Sequence, residues 1–311
     1  MRKFFSFIAL LTAAVILCIG NCGASSARTK ITILVSYNGA PFEKAVAGIK
    51  EYLAKQDTQV EYDVYALNGD ANKAKLFVAQ TKKSKPQLII ALGSLALDEA
   101  AREITDIPIV TGMVLRKEQL EAHPNVSGVL LEIPIEQQLQ WIQKLVPRAK
   151  NIGVLYNPDE NGDLVKSAAK VALKMGLTLN AQEVASPKNI PQALKNITNS
   201  VDVLWGISDK TVLTPQTAKD ILLFSFRNRI PFVGLSASWV KAGAYYALDR
   251  DYNDIGLQCG EMAYRILKGS GIQSLHPVSP RKIVYSLNMK TAGQIKIDVP
   301  EALAQGAVTV F

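Results

Sequence analysis

The strongest constraint on this chain is an alternation written twice. From residue 29 onward, short β-branched runs alternate with amphipathic stretches, an order that calls for parallel strands joined by crossover helices. Strands are expected over 29–36, 59–66, 87–92 and 107–111, and again over 151–156, 177–184, 201–207 and 230–235. The two series match segment by segment. Ile33-Leu34-Val35-Ser36-Tyr37-Asn38 parallels Ile152-Gly153-Val154-Leu155-Tyr156-Asn157, Leu88-Ile89-Ile90 parallels Val203-Leu204-Trp205, and Ile107-Pro108-Ile109-Val110 parallels Ile230-Pro231-Phe232-Val233. Three matches in register, at nearly constant offset, indicate a duplicated α/β unit. Ser186-Pro187 and Thr214-Pro215 have the cap-then-proline form of helix starts.

The remaining chain adds a segment over 243–249, a helix over 251–268 and a strand over 282–287. To finish both sheets it must pass between the lobes more than once, and several passages make a hinge. The expected architecture is α/β: two Rossmann-like lobes with parallel central sheets, joined by a multi-strand hinge. Lobe I is expected over 28–114 plus about 246–275, and lobe II over 115–245 plus about 276–311.

The first 27 residues stand apart. Phe4 to Gly20 is uniformly apolar, follows Arg2 and Lys3, and precedes the small residues Gly23-Ala24-Ser25-Ser26-Ala27. This is the grammar of a secretory signal peptide, and the run falls short of the roughly 20 residues that span a bilayer. Ser25 and Ala27 suit the ordinary signal peptidase and would leave Arg28 first. Ile19-Gly20-Asn21-Cys22 offers an imperfect lipobox, in which Cys22 would be acylated and anchor the chain, although Asn21 is polar for such a site. Either exit gives a periplasmic or otherwise extracytoplasmic protein.

Charge and cysteine usage then exclude several classes. The formal net charge is +8, which raises the question of nucleic acid. The basic residues are dispersed, however, and the densest cluster, Lys82-Lys83-Ser84-Lys85, lacks interleaved aromatics and reads as a solvated helix end. No nucleic-acid partner is expected. Of three cysteines, Cys18 and Cys22 lie in the leader, so a processed chain keeps Cys259 alone and forms no internal disulfide. Cys259 falls on the apolar pattern of a helix and reads as a buried structural thiol. His123 and His276 each precede a proline in separate loops, and neither pairs with a nucleophile. With no glycine-rich phosphate loop, no metal-ligand spacing and no Gly-x-Ser-x-Gly, neither an enzyme nor a bound cofactor is expected.

In open parallel sheets ligands bind beyond the carboxyl ends of the strands, where helix N-termini converge. The residues expected there are Ser36, Tyr37, Gly93, Ser94, Thr111, Tyr156, Asn157, Ser208, Asp209, Thr211 and Ser236. Hydroxyls and amides dominate and suit a small polar ligand, with Asp209 available to an ammonium. Each Ser or Thr could equally be a helix cap. Tyr37 and Tyr156 could stack on a ligand or line the rim, while Trp205 lies inside a strand and reads as core. Asp251 reads first as the cap of the helix that follows, with Asp249 a further candidate acid.

Four stretches carry a family resemblance: 125–129 (Asn-Val-Ser-Gly-Val); 148–158, ending Tyr156-Asn157-Pro158; 242–269, including Asp251-Tyr252 and Glu261-Met262-Ala263-Tyr264; and Leu287-Asn288-Met289-Lys290-Thr291-Ala292. In their order and spacing the chain resembles the ABC-transporter substrate-binding proteins of the tryptophan/tyrosine-binding type, a branch of the type I periplasmic binding proteins. The resemblance implies two lobes, three crossovers, a cleft that closes on an amino acid or related small molecule, and permease and ATPase partners in the membrane, the protein itself being a monomer. It carries a strand-end segment onto Ser208-Asp209-Lys210-Thr211. Lys210 and Ser236-Ala237-Ser238 depart from the family pattern and make the cleft less negative, which favours an anionic ligand. A sensor feeding a membrane receptor kinase and an exported glycosyltransferase-like enzyme are the alternative functions.

Overall fold

Each series folds into its own sheet, and each sheet borrows a helix from the other half of the chain. A computed structural model describes residues 29–311, so the expected leader and Cys22 lie outside the described residues. The first lobe runs β1 (Thr29–Val35), α1 (Ala40–Lys55), β2 (Val60–Ala66), α2 (Ala71–Ser84), β3 (Leu88–Leu92), α3 (Ser94–Glu103), β4 (Ile109–Val114), the single turn α4 (Glu118–Glu121) and β5 (Val126–Leu130). The chain then crosses to α5 (Ile135–Leu145), β6 (Asn151–Tyr156), α6 (Pro158–Lys174), β7 (Thr178–Glu183), α7 (Ile190–Ile197), β8 (Val203–Trp205), α8 (Ala218–Asn228), β9 (Phe232–Gly234), α9 (Ala237–Ala242) and β10 (Tyr246–Arg250). It ends with α10 (Tyr252–Leu267), β11 (Ile283–Leu287), α11 (Met289–Gln294), α12 (Glu301–Gln305) and β12 (Thr309–Val310).

The first sheet has the order β2-β1-β3-β4-β5, all parallel; the second is β12-β11-β10-β9-β8-β6-β7. Its section β7-β6-β8-β9-β10 repeats the order of the first sheet strand for strand, and the duplication read in the sequence is thus present in the topology. β11 adds antiparallel to β10. Strands β3, β4 and the edge strand β5 are buried along their whole length, as both faces of a parallel sheet are covered. Alternation still sorts their side chains: Leu88, Ile90 and Leu92 enter the layer under α1, while Ile89 and Ala91 enter the layer under α2 and α3.

Lobe membership differs from the expected boundaries at two places. Val126–Leu130, absent from the expected strand set, is the fifth strand of the first sheet, and Tyr246–Arg250 is the fifth strand of this series in the second. The first crossing therefore falls after Leu130 rather than at 114/115, and the second after Arg250 rather than at 245/246. The physical reason is that each strand pairs in parallel with the side of its neighbour, β5 with β4 and β10 with β9, that would otherwise be left without hydrogen-bond partners. Pro215 is a second difference. It lies in a turn where Thr217 Oγ1 donates to the Val212 carbonyl at 2.6 Å, and α8 begins only at Ala218.

Helix α10 lies on the first sheet, although β10 before it belongs to the second. Its Ile255, Cys259, Met262 and Ala263 join the core of Ile31, Ile33, Ala45 and Ile49. The approach to α1 is close because three glycines stand in the seam. A Cβ on Gly256 would lie 2.1 Å from the Ala45 carbonyl oxygen, one on Gly48 2.1 Å from that of Asn253, and one on Gly260 2.8 Å from Tyr52 Cβ. Conversely, α5 follows a strand of the first sheet but packs Leu139, Ile142 and Leu145 into the core of the second. Replacing Gly256 by Ala should lower stability by roughly 1–3 kcal/mol through overpacking. Gly293→Ala, where a Cβ meets nothing within 4 Å, should be neutral or slightly stabilising. Urea unfolding of the two variants measures the contrast.

Candidate functional site

Three passages of the chain run between the lobes, and they are laced together. Arg250, at the end of β10, donates from Nε to the Leu131 carbonyl at 2.6 Å and so joins the second crossing to the first. Asp251 N donates to the Lys282 carbonyl at 3.1 Å, joining the second to the third. Asp251 also caps α10, accepting from Asn253 N and Asp254 N, the structural role expected of it. Burial pushes its carboxyl up, but Lys282 and the cap bonds outweigh this and hold it below the ordinary range.

Against these passages lies a cavity of about 190 Å³. Its apolar walls come from the carboxyl ends of β8 and β9 (Trp205, Ile207, Val233, Leu235), from Leu164 of α6 and from Leu248 of β10. Leu115, just past β4, enters from the first lobe and is 60% exposed. The polar groups are few: Glu132 from the first crossing, Arg250 from the second, Gln138 of α5 and Ser208. Gln138 is fixed at both ends of its amide, accepting from Trp205 Nε1 at 3.1 Å and donating to the Ile133 carbonyl at 2.8 Å. The indole and the first crossing are thereby held to one another. Glu132 is exposed. A largely apolar hollow with one carboxylate and one guanidinium suits a compact zwitterion with an apolar body.

Of the expected site residues, only Ser208 lines this cavity. Ser36 is fully buried, and its hydroxyl accepts from Ala96 N at 2.9 Å, capping α3 from a neighbouring strand. Gly93 turns at φ +89, where a Cβ would lie 2.6 Å from Ser36 Oγ, so it makes room for that cap; Ser94 is the first residue of α3. Thr111 is buried inside the sheet, with its hydroxyl donated to the Ala91 carbonyl at 2.7 Å. Tyr37 is 53% exposed at the carboxyl edge of the first sheet, tilted over Phe42. Tyr156 packs on the second core and donates to Glu183 at 3.1 Å. Neither tyrosine lines the cavity. Ser236 immediately precedes α9 and is half-buried. Lys210 is exposed, its backbone N–H bound to Glu160, and it too lies off the cavity wall.

Asp209 was the expected partner for an ammonium, and its environment argues otherwise. It is 4% exposed, and both oxygens are taken: Oδ1 accepts from Thr211 N and Val212 N, each at 2.9 Å, and Oδ2 from Asn157 N at 2.7 Å and Asn161 Nδ2 at 2.8 Å. Asn157 in turn caps α6 and donates to Thr211 Oγ1 at 2.9 Å. The cluster Asn157–Asp209–Thr211 pins the start of α6 to the loop after β8. Its four donors use the acceptor sites a carboxylate offers.

The polar and first-lobe residues of this cavity that sequence reasoning did not name are Glu132, Gln138, Leu115 and Arg250. Trp205 was read as core, and it is buried, yet one face of it walls the cavity. A signal for the first crossing was present, since Val126 lies 120 residues before Tyr246, so the repeat places a fifth strand, and the crossing after it, where the expected set had none. Cys259 is buried as expected, with its thiol pushed up to about 12 by burial. Among the described residues, no helix is long and apolar enough to cross a membrane, and no group of metal-ligating side chains occurs.

Two duplicated α/β lobes, a triple connection and a cavity against that connection define the two-lobed fold of the periplasmic binding proteins. More particularly, the chain belongs to the family of ABC transporter substrate binding proteins, whose model matches residues 30–311. A tyrosine-binding protein of Clostridioides difficile is 24% identical over 227 residues, which cover 70% of this chain and 65% of that protein, just under two thirds of its length. Among solved structures, a substrate-binding protein with adhesive properties from Clostridium difficile, in its ligand-free open form, is 22% identical with a TM-score of 0.74, covering 91% of this chain and 99% of that one. An ABC domain in complex with L-Trp from Streptococcus pneumonia is 24% identical with a TM-score of 0.57, covering 92% and 100%.

The Asp209 cluster yields a stability prediction. Burial raises the Asp209 carboxyl, but the hydrogen bonds from Asn157, Asn161, Val212 and Thr211 outweigh it and leave the pKa below the usual value. A depressed folded pKa stabilises above the unfolded pKa, and that contribution is lost as pH falls through the folded value. Asp209→Ala should cost roughly 2–3 kcal/mol at neutral pH, because buried donors lose their acceptor. The gap to wild type should narrow in acid, as followed by urea titrations at neutral and acidic pH.

Proposed function

We propose that this protein is the extracytoplasmic solute-capturing component of an ABC importer, that its solute is a single amino acid with an apolar or aromatic side chain, and that it transforms nothing chemically. The observation that carries this reading is the hinge cavity itself, with apolar walls and only Glu132 and Arg250 as charged groups. The ligand carboxylate would pair with the Nη groups of Arg250, whose Nε is already committed to Leu131. The ammonium would meet Glu132, and the side chain would lie among Trp205, Leu164, Leu248 and Leu115. A hydrogen bond to a charged group contributes roughly 1.5–3 kcal/mol, so two such contacts and an apolar box suffice for tight capture.

The mechanism is a population shift. Leu115 belongs to the first lobe and most of the wall to the second, so some contacts reach full value only when the lobes approach. Binding then favours the closed form by that difference in affinity. Closure also changes the surface offered to permease and ATPase partners in the membrane, which is how an importer could distinguish loaded from empty protein. The names of the relatives, which bind tyrosine and L-Trp, support the choice of ligand class. The apolar leader supports a position outside the cytoplasm, with Cys22 as an anchoring site.

L-Tyrosine and L-tryptophan should each raise the melting temperature of the purified protein, since ligand at 100 times its dissociation constant adds about 2.7 kcal/mol. Glu132→Gln should weaken L-tryptophan binding about tenfold while leaving the ligand-free melting temperature unchanged. Indole-3-propionate, which lacks the ammonium, should bind wild type weakly and be insensitive to Glu132→Gln. Titration calorimetry that finds no binding of either amino acid would sink the proposed ligand class.

A further inference from the structure

A second cavity, about 360 Å³, lies in the seam between helix α10 and the third crossing. The segment running into that crossing is held from several sides. Ser127 Oγ donates to the Leu275 carbonyl, Val278 bridges to Val129 of β5, and Gln258 donates to the Ser279 carbonyl at 3.2 Å while accepting from Arg281 N at 3.1 Å. The hollow left beside these tethers is therefore held in place by the first lobe. Its floor is apolar: Met262 and Leu275 are buried, and Val278 is 40% exposed. Its rim carries two guanidinium groups, Arg265 and Arg281. Arg281 gives Nε to Asp254 at 3.0 and 3.1 Å and Nη1 to Glu261 at 3.1 Å, which leaves its Nη2 without a partner among the described residues. Arg265 is exposed, with no ion pair or hydrogen bond of its side chain among the described residues, and His276 stands on the same rim.

We propose that this seam is a second ligand site, distinct from the hinge cavity, for a small carboxylate carried on an apolar body. The carboxylate pairs with Arg265 and the free edge of Arg281, and the body covers Met262, Leu275 and Val278. Glu261 is engaged by Arg281 and repels a second negative charge, so the site favours monoanions over more highly charged ions. The volume lies within the range of small-molecule sites. An occupant touches both α10 and the segment running into the third crossing, and Ser127 and Val129 tie that segment to the first sheet, so the site belongs to the first lobe. The proposal does not depend on the amino-acid reading of the hinge cavity.

Hexanoate is a suitable probe and inorganic phosphate its control, used with the full secreted chain. Amide resonances of residues 258–265 and 274–281 should shift saturably with hexanoate, and calorimetry should give a matching affinity. Arg265→Ala should weaken hexanoate about tenfold or more through loss of a charge-assisted bond, and Val278→Asp should do the same by placing a carboxylate on the floor. Neither should alter L-tryptophan binding. Phosphate should bind more weakly than hexanoate. The proposal is overturned if hexanoate shifts only resonances around Trp205 and Arg250 or none at all, if both variants bind it as wild type does, or if phosphate binds equally well.

Discussion

The reciprocal exchange of α5 and α10 is the constraint on which the rest of the structure depends. Each helix follows the fifth strand of one sheet and completes the core of the other, so neither half of the chain has a finished core alone. Most strongly placed is α10, because Gly48, Gly256 and Gly260 let two backbones approach to distances that any side chain would forbid. Close approach multiplies weak dispersion contacts along the whole seam. With α10 fixed to the first lobe and β10 to the second, the short link from Arg250 to Asp251 must act as a hinge strand. The same logic fixes Leu131–Pro134 between β5 and α5.

The architecture was legible because a parallel strand buried on both faces leaves a plain mark, a short run of apolar and β-branched residues. Ile31 to Val35, Leu88 to Leu92 and Ile152 to Leu155 needed no tertiary information to be read as strands. Val126–Leu130 was harder, since Ser127 and Gly128 interrupt the apolar run. Gly128 is small for a reason that only packing reveals, as a Cβ there would lie 2.0 Å from the Thr111 carbonyl oxygen. The first lobe boundary was misplaced by one strand because that strand was not read, and the second because 246–250 was assigned to the first lobe, although the register of the duplication held the information.

The site was far less legible, and the cause is physical. A hydroxyl or carboxylate at a strand end can serve a ligand or serve the backbone, and the sequence is identical in the two cases. Ser36, Thr111, Asn157 and Asp209 all serve the backbone here: each satisfies helix or loop N–H groups, or a strand carbonyl, that would otherwise be buried unpaired. The charged residues that line the hinge cavity, Glu132 and Arg250, lie at the crossings, Glu132 outside any strand or helix and Arg250 at the last position of β10. Trp205 was rightly read as core, yet a residue at the last position of a strand can be core on one face and wall on the other.

The position of the cavity follows from the same exchange. Ligands of open parallel sheets gather at the carboxyl ends of strands, and β8 and β9 supply most of the wall. The crossings leave from the carboxyl ends of β5 and β10, so the hinge and the binding region are brought together by topology rather than by chance. Arg250 makes the connection physical, since its guanidinium holds the first crossing through Nε, has Nη1 3.9 Å from Asp249 Oδ1, and belongs to a residue that also lines the cavity. A guanidinium can do both because its donors diverge in a fixed plane, which a lysine ammonium cannot imitate. Under the proposed function, an anion paired with Arg250 would act on the side chain that ties the second crossing to the first, and ligand occupancy and lobe angle would be coupled there.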